Sequence, residues 1–188
     1  MSKMVKIFIG IIIGTVLIGA PLIGSYNSLA NAESEVDYAW AEIDNKLQRR
    51  NDLIPNLVSA VKGVMAHEEE VFTAIADARA EIGKADNVAD TIEANSQMTT
   101  AVTNLIAVSE NYPEIKSNDN MTRLMDELAG TENRISVERG RYNEAVQKYN
   151  LKLKKLPTSM FAGALGYESK PFFEADEEAK TAPVVDFE

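Results

Sequence analysis

Residues 4–23 read MVKIFIGIIIGTVLIGAPLI, the one long apolar run in the chain. A helix needs about 20 apolar residues to cross a hydrocarbon core of about 30 Å. This run has that length, and Lys6 is its only charge. We therefore predict a membrane anchor over residues 1–24, followed by a single soluble domain.

A cleaved signal peptide is the alternative for this segment. Lys3 and Lys6 form a basic start, and Leu29-Ala30-Asn31-Ala32 offers an A-x-A cleavage site. The apolar run is longer than the usual signal-peptide core of about 7–15 residues, and the site lies well past its end. These two features favour an uncleaved signal-anchor.

The charges on either side of the run predict its orientation. Lys3 precedes the run and Lys6 lies near its start, and the next basic residue is Lys46. Basic residues stay on the cytoplasmic side, so the bulk of the chain is predicted to lie outside the cytoplasm. Without these two lysines, 17 basic residues face 29 acidic ones, a formal net charge of −12. Such a charge argues against binding to nucleic acid and against adhesion to anionic lipid heads.

Beyond the anchor, apolar residues recur in alternating steps of three and four. This period predicts amphipathic helices, and no segment keeps the alternation of a strand. Four long helices over residues 25–157 stack most simply as an antiparallel bundle, so the predicted fold is all-α. Trp40 lies on the first stripe and is predicted to be buried. The four stripes are Tyr26, Leu29, Val36, Trp40, Ile43 and Leu47; Leu53, Leu57, Val61, Val64, Val71, Ile75, Ala78 and Ile82; Val88, Ile92, Met98, Val102, Leu105 and Tyr112; and Leu124, Leu128, Ile135, Tyr142, Tyr149, Leu153 and Leu156.

Cap and proline signals predict where the helices end. Asn51-Asp52 followed by Pro55 is typical of a helix start, so the first helix is predicted to turn near Arg50. Alternatively, the first two helices form one kinked helix, because the stripe stays in phase over residues 47–57. Residues 83–87 and 111–120 separate the later helices, and Pro157 ends the last one.

Several charged residues interrupt the apolar seam of the predicted bundle. Buried charges destabilise a fold unless they are paired. We therefore expect these residues to pair between helices and fix their register, or to extend out of the seam. The alternative is a polar cluster that senses a ligand or an ion. The candidates are Arg49, Arg50, Glu68, Glu132 and Arg139, and Glu33 also falls at or beside a seam position.

The sequence offers no recognisable catalytic, cofactor-binding or metal-binding motif. His67 is the only histidine, the chain has no cysteine, and no H-E-x-x-H pattern is present. P-loop, G-x-S-x-G and G-x-G-x-x-G motifs are also missing from the sequence. We therefore predict a non-enzyme without a cofactor or metal.

The C-terminal residues 158–188 differ in composition from the helices. Apolar and aromatic residues stand among glycines and prolines without a helical period, and residues 174–188 form an acidic tail that we expect to be loose. The segment is predicted to cap the end of the bundle. The alternative is a patch for a partner protein, formed by Phe161, Leu165, Tyr167, Phe172 and Phe173.

Seven blocks of the sequence together resemble the LemA family of bacterial membrane-anchored proteins. The resemblance implies one N-terminal membrane segment and a bundle of long helices, in the bacterial inner membrane. It implies no activity, although one relative belongs to the magnetosome membrane set, which suggests membrane organisation. We therefore expect a membrane-tethered scaffold that binds envelope proteins or itself, with ligand sensing as the alternative. The blocks are Tyr26-Asn27, Ala39–Asp44, Leu47–Val58, His67-Glu68, Gly130–Ile135, Arg141–Val146 and Lys170–Phe173.

Overall fold

The computed structural model describes residues 3–174, which form five α-helices followed by two short 3₁₀ turns. No strand occurs in this part of the chain, so the predicted all-α class is confirmed. The predicted acidic tail beyond Glu174 lies outside the described residues. The helices are α1 (Lys3–Val61), α2 (Glu69–Ile82), α3 (Val88–Ser109), α4 (Pro113–Lys116) and α5 (Asp119–Lys154), and the turns are Thr158–Met160 and Gly163–Leu165.

Helix α1 runs without a break through Arg50 and Pro55 to Val61. The predicted turn near Arg50 is therefore wrong, and the alternative of a continuous helix is correct as far as Val61. Packing explains the difference, because the apolar stripe keeps its phase across the expected boundary and is buried on both sides of it. That burial outweighs a local capping signal and the hydrogen bond lost at a proline. The buried members are Ile43, Leu47, Ile54, Leu57 and Val61.

The N-terminal part of α1 is long and apolar enough to cross a membrane, judged by length and composition. Its most apolar window is not buried against the rest of the protein. Phe8 and Leu17, for example, are both largely exposed. This helix is therefore a candidate membrane anchor rather than a helix of a soluble core.

Two compact units can be distinguished by their internal contacts. The first unit contains residues 3–41 and 141–170. Within it α1 and α5 run antiparallel, because Ser28 accepts a hydrogen bond from Lys152 (2.9 Å) while the ring of Trp40 lies 5.6 Å from that of Tyr142. The buried apolar residues of this unit are Leu29, Ala32, Val36, Tyr142, Val146, Tyr149 and Ala162, and Thr158 is buried among the polar ones.

Trp40 is half-buried in the first unit, so the prediction of a buried tryptophan is only partly correct. Its indole packs on the ring of Tyr142 at an interplanar angle of 59°. Tyr142 itself is buried. The tryptophan therefore covers the edge of the core instead of filling its centre.

The second unit contains residues 42–140 and 171–174 among those described. Its core is built by the end of α1 together with α2, α3, α4 and the first part of α5. Residues 62–68 connect α1 to α2, and Asn87 caps α3, because its side-chain oxygen accepts a hydrogen bond from the backbone N–H of Asp90 (3.0 Å). The central core residues are Ile54, Leu57, Val61, Met65, Ile75, Ala78, Met98, Ala101, Val102, Leu105, Ile115 and Leu128.

Candidate functional site

Arg50 is one of the largest fully buried side chains among the described residues, with none of its surface exposed. It lies on α1 within the second unit, facing α3 and α5. Its Nη2 donates to Asn95 Oδ1 (2.5 Å), and its Nη1 donates to Thr99 Oγ1 (2.9 Å) and Glu132 Oε1 (3.2 Å). We call Arg50, Asn95, Thr99 and Glu132 the Arg50 cluster.

Helix α3 presents its two members of the Arg50 cluster on one face. Asn95 and Thr99 are four residues apart, so their side chains lie one above the other. Asn95 also donates through Nδ2 to the backbone oxygen of Thr91 (2.8 Å), which leaves Oδ1 directed at Arg50. The one hydroxyl proton of Thr99 can be donated to the backbone oxygen of Asn95 (3.1 Å) or to Glu132 Oε2 (3.4 Å), and in either case the hydroxyl oxygen accepts from Arg50.

Burial and the neighbouring positive charge shift the pKa of Glu132 in opposite directions. Burial raises the pKa of the Glu132 carboxyl above its usual range, although the nearby Arg50 and the hydroxyl of Thr99 favour the ionised form. Burial likewise lowers the pKa of Arg50, partly offset by Glu132, but a guanidinium stays protonated in proteins. The pair is therefore a desolvated ion pair with 15% of the Glu132 side chain still reaching water.

The buried Nε–H of Arg50 has no hydrogen-bond partner among the described residues. Both terminal nitrogens of the guanidinium are satisfied by side chains of the same unit. The two terminal nitrogens of Arg50 therefore bind only to other members of the Arg50 cluster among the described residues. Such an arrangement joins three helices at one level and opposes a shift of any of them along its axis.

The other charged seam candidates have their own direct partners. Arg49 forms an exposed ion pair with Glu127, and Glu68 accepts a hydrogen bond from the hydroxyl of Tyr112 (2.7 Å). Arg139 lies over the ring of Phe173, 4.9 Å from its centroid, and donates to the backbone oxygen of Glu174 (2.9 Å). Among the described residues, only Arg50 and Glu132 of the five candidates are joined by an ion pair, but the charge of Arg139 lies close enough to lower the pKa of both groups.

Sequence reasoning missed Asn95 and Thr99. Asn95 is buried, with 3% of its surface exposed, although it is polar. A signal was available, because the stripe of α3 jumps from Ile92 to Met98 and thereby skips Asn95. A polar residue at a stripe position with an arginine on another helix predicts a buried hydrogen bond.

His67 is exposed in the connection between α1 and α2. Within residues 3–174, no group of three or more histidine, cysteine, aspartate or glutamate side chains could hold a metal ion. The structure therefore gives no candidate metal ligands in this range, and the Arg50 cluster remains the candidate site.

The C-terminal segment folds back along α5 in the first unit. Asn150 and Lys170 exchange two hydrogen bonds of 2.9 Å, and Tyr149 donates to the backbone oxygen of Glu168 (3.1 Å). Glu33 of α1 forms an ion pair with Lys170 (3.5 Å). These contacts hold residues 168–170 against α1 and α5 within the first unit.

The five predicted patch residues have different surroundings. Phe161 and Leu165 line an open apolar groove in the first unit, and the ring of Tyr167 meets that of Tyr26 edge-on at 6.3 Å. In the second unit Phe172 is partly exposed, whereas Phe173 is buried, with 5% of its surface accessible. Phe173 therefore packs as part of the folded structure and is not available to a partner.

Comparisons with known proteins identify relatives of this chain. Magnetosome proteins MamQ 1 and MamQ 2 of Paramagnetospirillum magneticum are each 26% identical to this chain over 192 residues, covering 88% of it and 70% of the relative. Magnetosome protein MamQ of Magnetospirillum gryphiswaldense is 24% identical over 190 residues, and the alignment covers 87% of this chain and 70% of the relative. The sequence model of the LemA family matches residues 39–187, which is most of the chain. With this match and the all-α fold, the chain belongs to the LemA family.

Proposed function

We propose that this protein is a membrane-tethered, non-catalytic helical scaffold that binds envelope proteins or associates with itself. Residues 1–24 serve as the anchor, residues 25–157 as the helical body and residues 158–188 as the cap and tail. The observation that carries the proposal is the Arg50 cluster. Its polar groups bind one another between three helices, which suits a fixed framework better than a ligand-sensing site.

Burial of the chain just after the anchor supports retention of the N-terminal segment. Leu29 and Ala32 are buried in the first unit, and the hydroxyls of Ser25 and Thr158 form a hydrogen bond of 2.5 Å. Cleavage after Ala32 would remove both contacts from the folded unit. An uncleaved anchor keeps the core of the first unit complete.

The names of the relatives are consistent with a role in organisation. They assign those proteins to the magnetosome and state no reaction. For this chain we infer a related kind of role, the holding of other proteins at a membrane.

The proposed topology places the body of the protein outside the cytoplasm, with Lys3 and Lys6 inside. Protease added to intact spheroplasts is expected to remove the helical body. Changing Lys3→Glu and Lys6→Glu together should reduce that cleavage. Complete protection of the unmodified protein would place the body, and its partners, on the cytoplasmic side.

The scaffold function is tested by photo-cross-linking of the full chain in native membranes. A photoreactive benzoylphenylalanine replaces Tyr38 or Val137, which are both well exposed on the helices. A scaffold should give discrete adducts, and an adduct of twice the chain's own mass indicates self-association. The control is the same replacement at Met160, which projects from the 3₁₀ turns instead of the helical body.

The result is read from the two helical positions. Adducts that form at Tyr38 or Val137 and compete with excess unlabelled protein support the scaffold. Absence of any adduct at both positions, while the protein is present in the membrane, would contradict it.

A further inference from the structure

An open apolar groove of about 440 Å³ lies in the first unit where α1 meets the 3₁₀ turns. Helix α1 supplies one wall and the 3₁₀ turns supply the other. The groove is lined by Leu22, Ile23, Tyr26, Met160, Phe161 and Leu165. Two neighbouring contacts hold the walls together: the bond between Ser25 and Thr158, and the edge-on packing of Tyr26 and Tyr167.

The groove lies at the end of the apolar run of α1. Leu22 and Ile23 are the last apolar residues of that run, and Ser25 follows directly after Gly24. At 1.5 Å per residue, the 20 residues from Met4 to Ile23 extend over about 30 Å, the thickness of a hydrocarbon core. Side chains that contact Leu22 and Ile23 therefore lie at the boundary between acyl chains and headgroups.

The second wall of the groove exposes large apolar side chains at this same level. Met160 is 76% exposed and Leu165 is 57% exposed, and Leu156 nearby is also largely exposed. Apolar area facing water is unfavourable, and a concentration of it marks a contact with a partner or a membrane. The groove is continuous with the candidate span. Lipid around the span would therefore lie next to the groove, which makes lipid the expected occupant.

Basic and tyrosine side chains at the same level fit a headgroup layer. Lys152 and Lys155 line a neighbouring cavity of about 280 Å³ together with Ser25 and Ser28. No acidic residue occurs between Gly24 and Ala32. The net negative charge of the whole domain thus hides a locally basic region, of the kind that attracts anionic lipids. Tyrosines such as Tyr26 are also frequent at membrane interfaces.

We propose that the 3₁₀ turns dock into the lipid leaflet from which α1 emerges. Acyl chains cover Met160 and Leu165 along the apolar groove, and a lipid phosphate group contacts Lys155. The protein would then hold its membrane at two places, the span and the docked turns. This inference rests on the proposed membrane span, and its test separates the two.

Spin labels on the full chain in vesicles of phosphatidylethanolamine and phosphatidylglycerol provide the test. The chain has no cysteine, so Leu165→Cys gives a single attachment site on an exposed side chain. Ile13→Cys reports on the span, and Val137→Cys is an exposed apolar control in the second unit. Accessibility to oxygen, which enters bilayers, is compared with accessibility to a water-soluble nickel chelate.

Docking predicts that oxygen relaxes the label at position 165 several-fold more than the nickel chelate does. The label at position 13 should behave in the same way. The label at position 137 should be relaxed more by the nickel chelate than by oxygen. If the label at position 165 is accessible to nickel while the label at position 13 remains in lipid, the docking is overturned and the span is retained. A nickel-accessible label at 13 would refute the span and the docking together. A label at 165 shielded from both reagents would show protein in the groove and overturn the assignment to lipid.

A charge change tests the phosphate contact separately. Lys155→Glu should move the label at position 165 toward water in these vesicles. Lys62→Glu changes an exposed lysine in the second unit and should not move it. An unchanged label in the Lys155→Glu protein would overturn the contact with phosphate.

Discussion

Replacing Arg50 by methionine should destabilise the helical body by about 3 kcal/mol. Removal of one partner from a buried ion pair typically lowers the free energy of unfolding by about 3–5 kcal/mol. Here Asn95 Oδ1 is left buried without its donor, a loss of about 1–3 kcal/mol by itself. The Glu132 side chain is 15% exposed and can be partly hydrated, so we expect the lower end of the range.

The measurement is urea unfolding of the protein without residues 1–24, followed by far-UV circular dichroism, which reports on all the helices. Arg49→Met is the matched control, because the neighbouring arginine forms only an exposed ion pair and should leave stability nearly unchanged. Replacing Arg50, Asn95 and Glu132 together by apolar residues should recover much of the loss. Equal stability of the Arg50→Met and Arg49→Met proteins would refute the buried cluster as a structural element.

Three further results are expected. Deletion of residues 1–24 should give a soluble and mostly helical protein, since the remaining stripes bury their apolar faces without lipid; a circular dichroism spectrum dominated by strand or coil would contradict this. Trp40→Ala should lower the free energy of unfolding by about 2 kcal/mol, less than the roughly 3–5 kcal/mol of a fully buried tryptophan, because Trp40 is half-buried. Burial raises the pKa of Glu132, so the folded state binds its proton more tightly than the unfolded chain does. Its contribution to stability should therefore fall as pH rises through the range just above the usual glutamate pKa, and Glu132→Gln should reduce this slope in unfolding measured across pH.

Apolar periodicity was enough to predict the class of fold and several helix ends. The stripe from Val88 to Leu105 lies on one helix, and Asn87 caps it as its position after Gly83 suggested. These features depend on residues close together in the sequence. Local patterns record them directly.

The boundary near Arg50 could not be predicted from local signals. Asn51, Asp52 and Pro55 all favour a helix start, but each affects only a few backbone groups. The burial of Ile54 and Leu57 in the second unit depends on α2 and α3, which come later in the chain. Tertiary packing therefore keeps the helix continuous past Arg50, although the local sequence favours a helix start there.

The candidate site was predicted only in part for the same reason. The charge of Arg50 and its place at the seam indicated a buried, paired residue, and Glu132 was among the charged residues predicted at the same seam. Asn95 and Thr99 carry no charge and escaped notice, although they supply two of the three partners of the guanidinium. Which helix faces Arg50 is a property of the folded chain, and one sequence does not record it.

The continuity of α1 between the apolar run and the buried part of the first unit has a mechanical consequence. No flexible linker separates Gly24 from Ala41, which lies about 26 Å further along a straight helix at 1.5 Å per residue. A change in bilayer thickness that tilts the span by about 10° would therefore swing Ala41 sideways by roughly 4–5 Å. If the apolar run is the membrane span proposed above, the continuous helix carries this tilt to residues 25–41, and the inclination of the first unit then follows the thickness of the membrane.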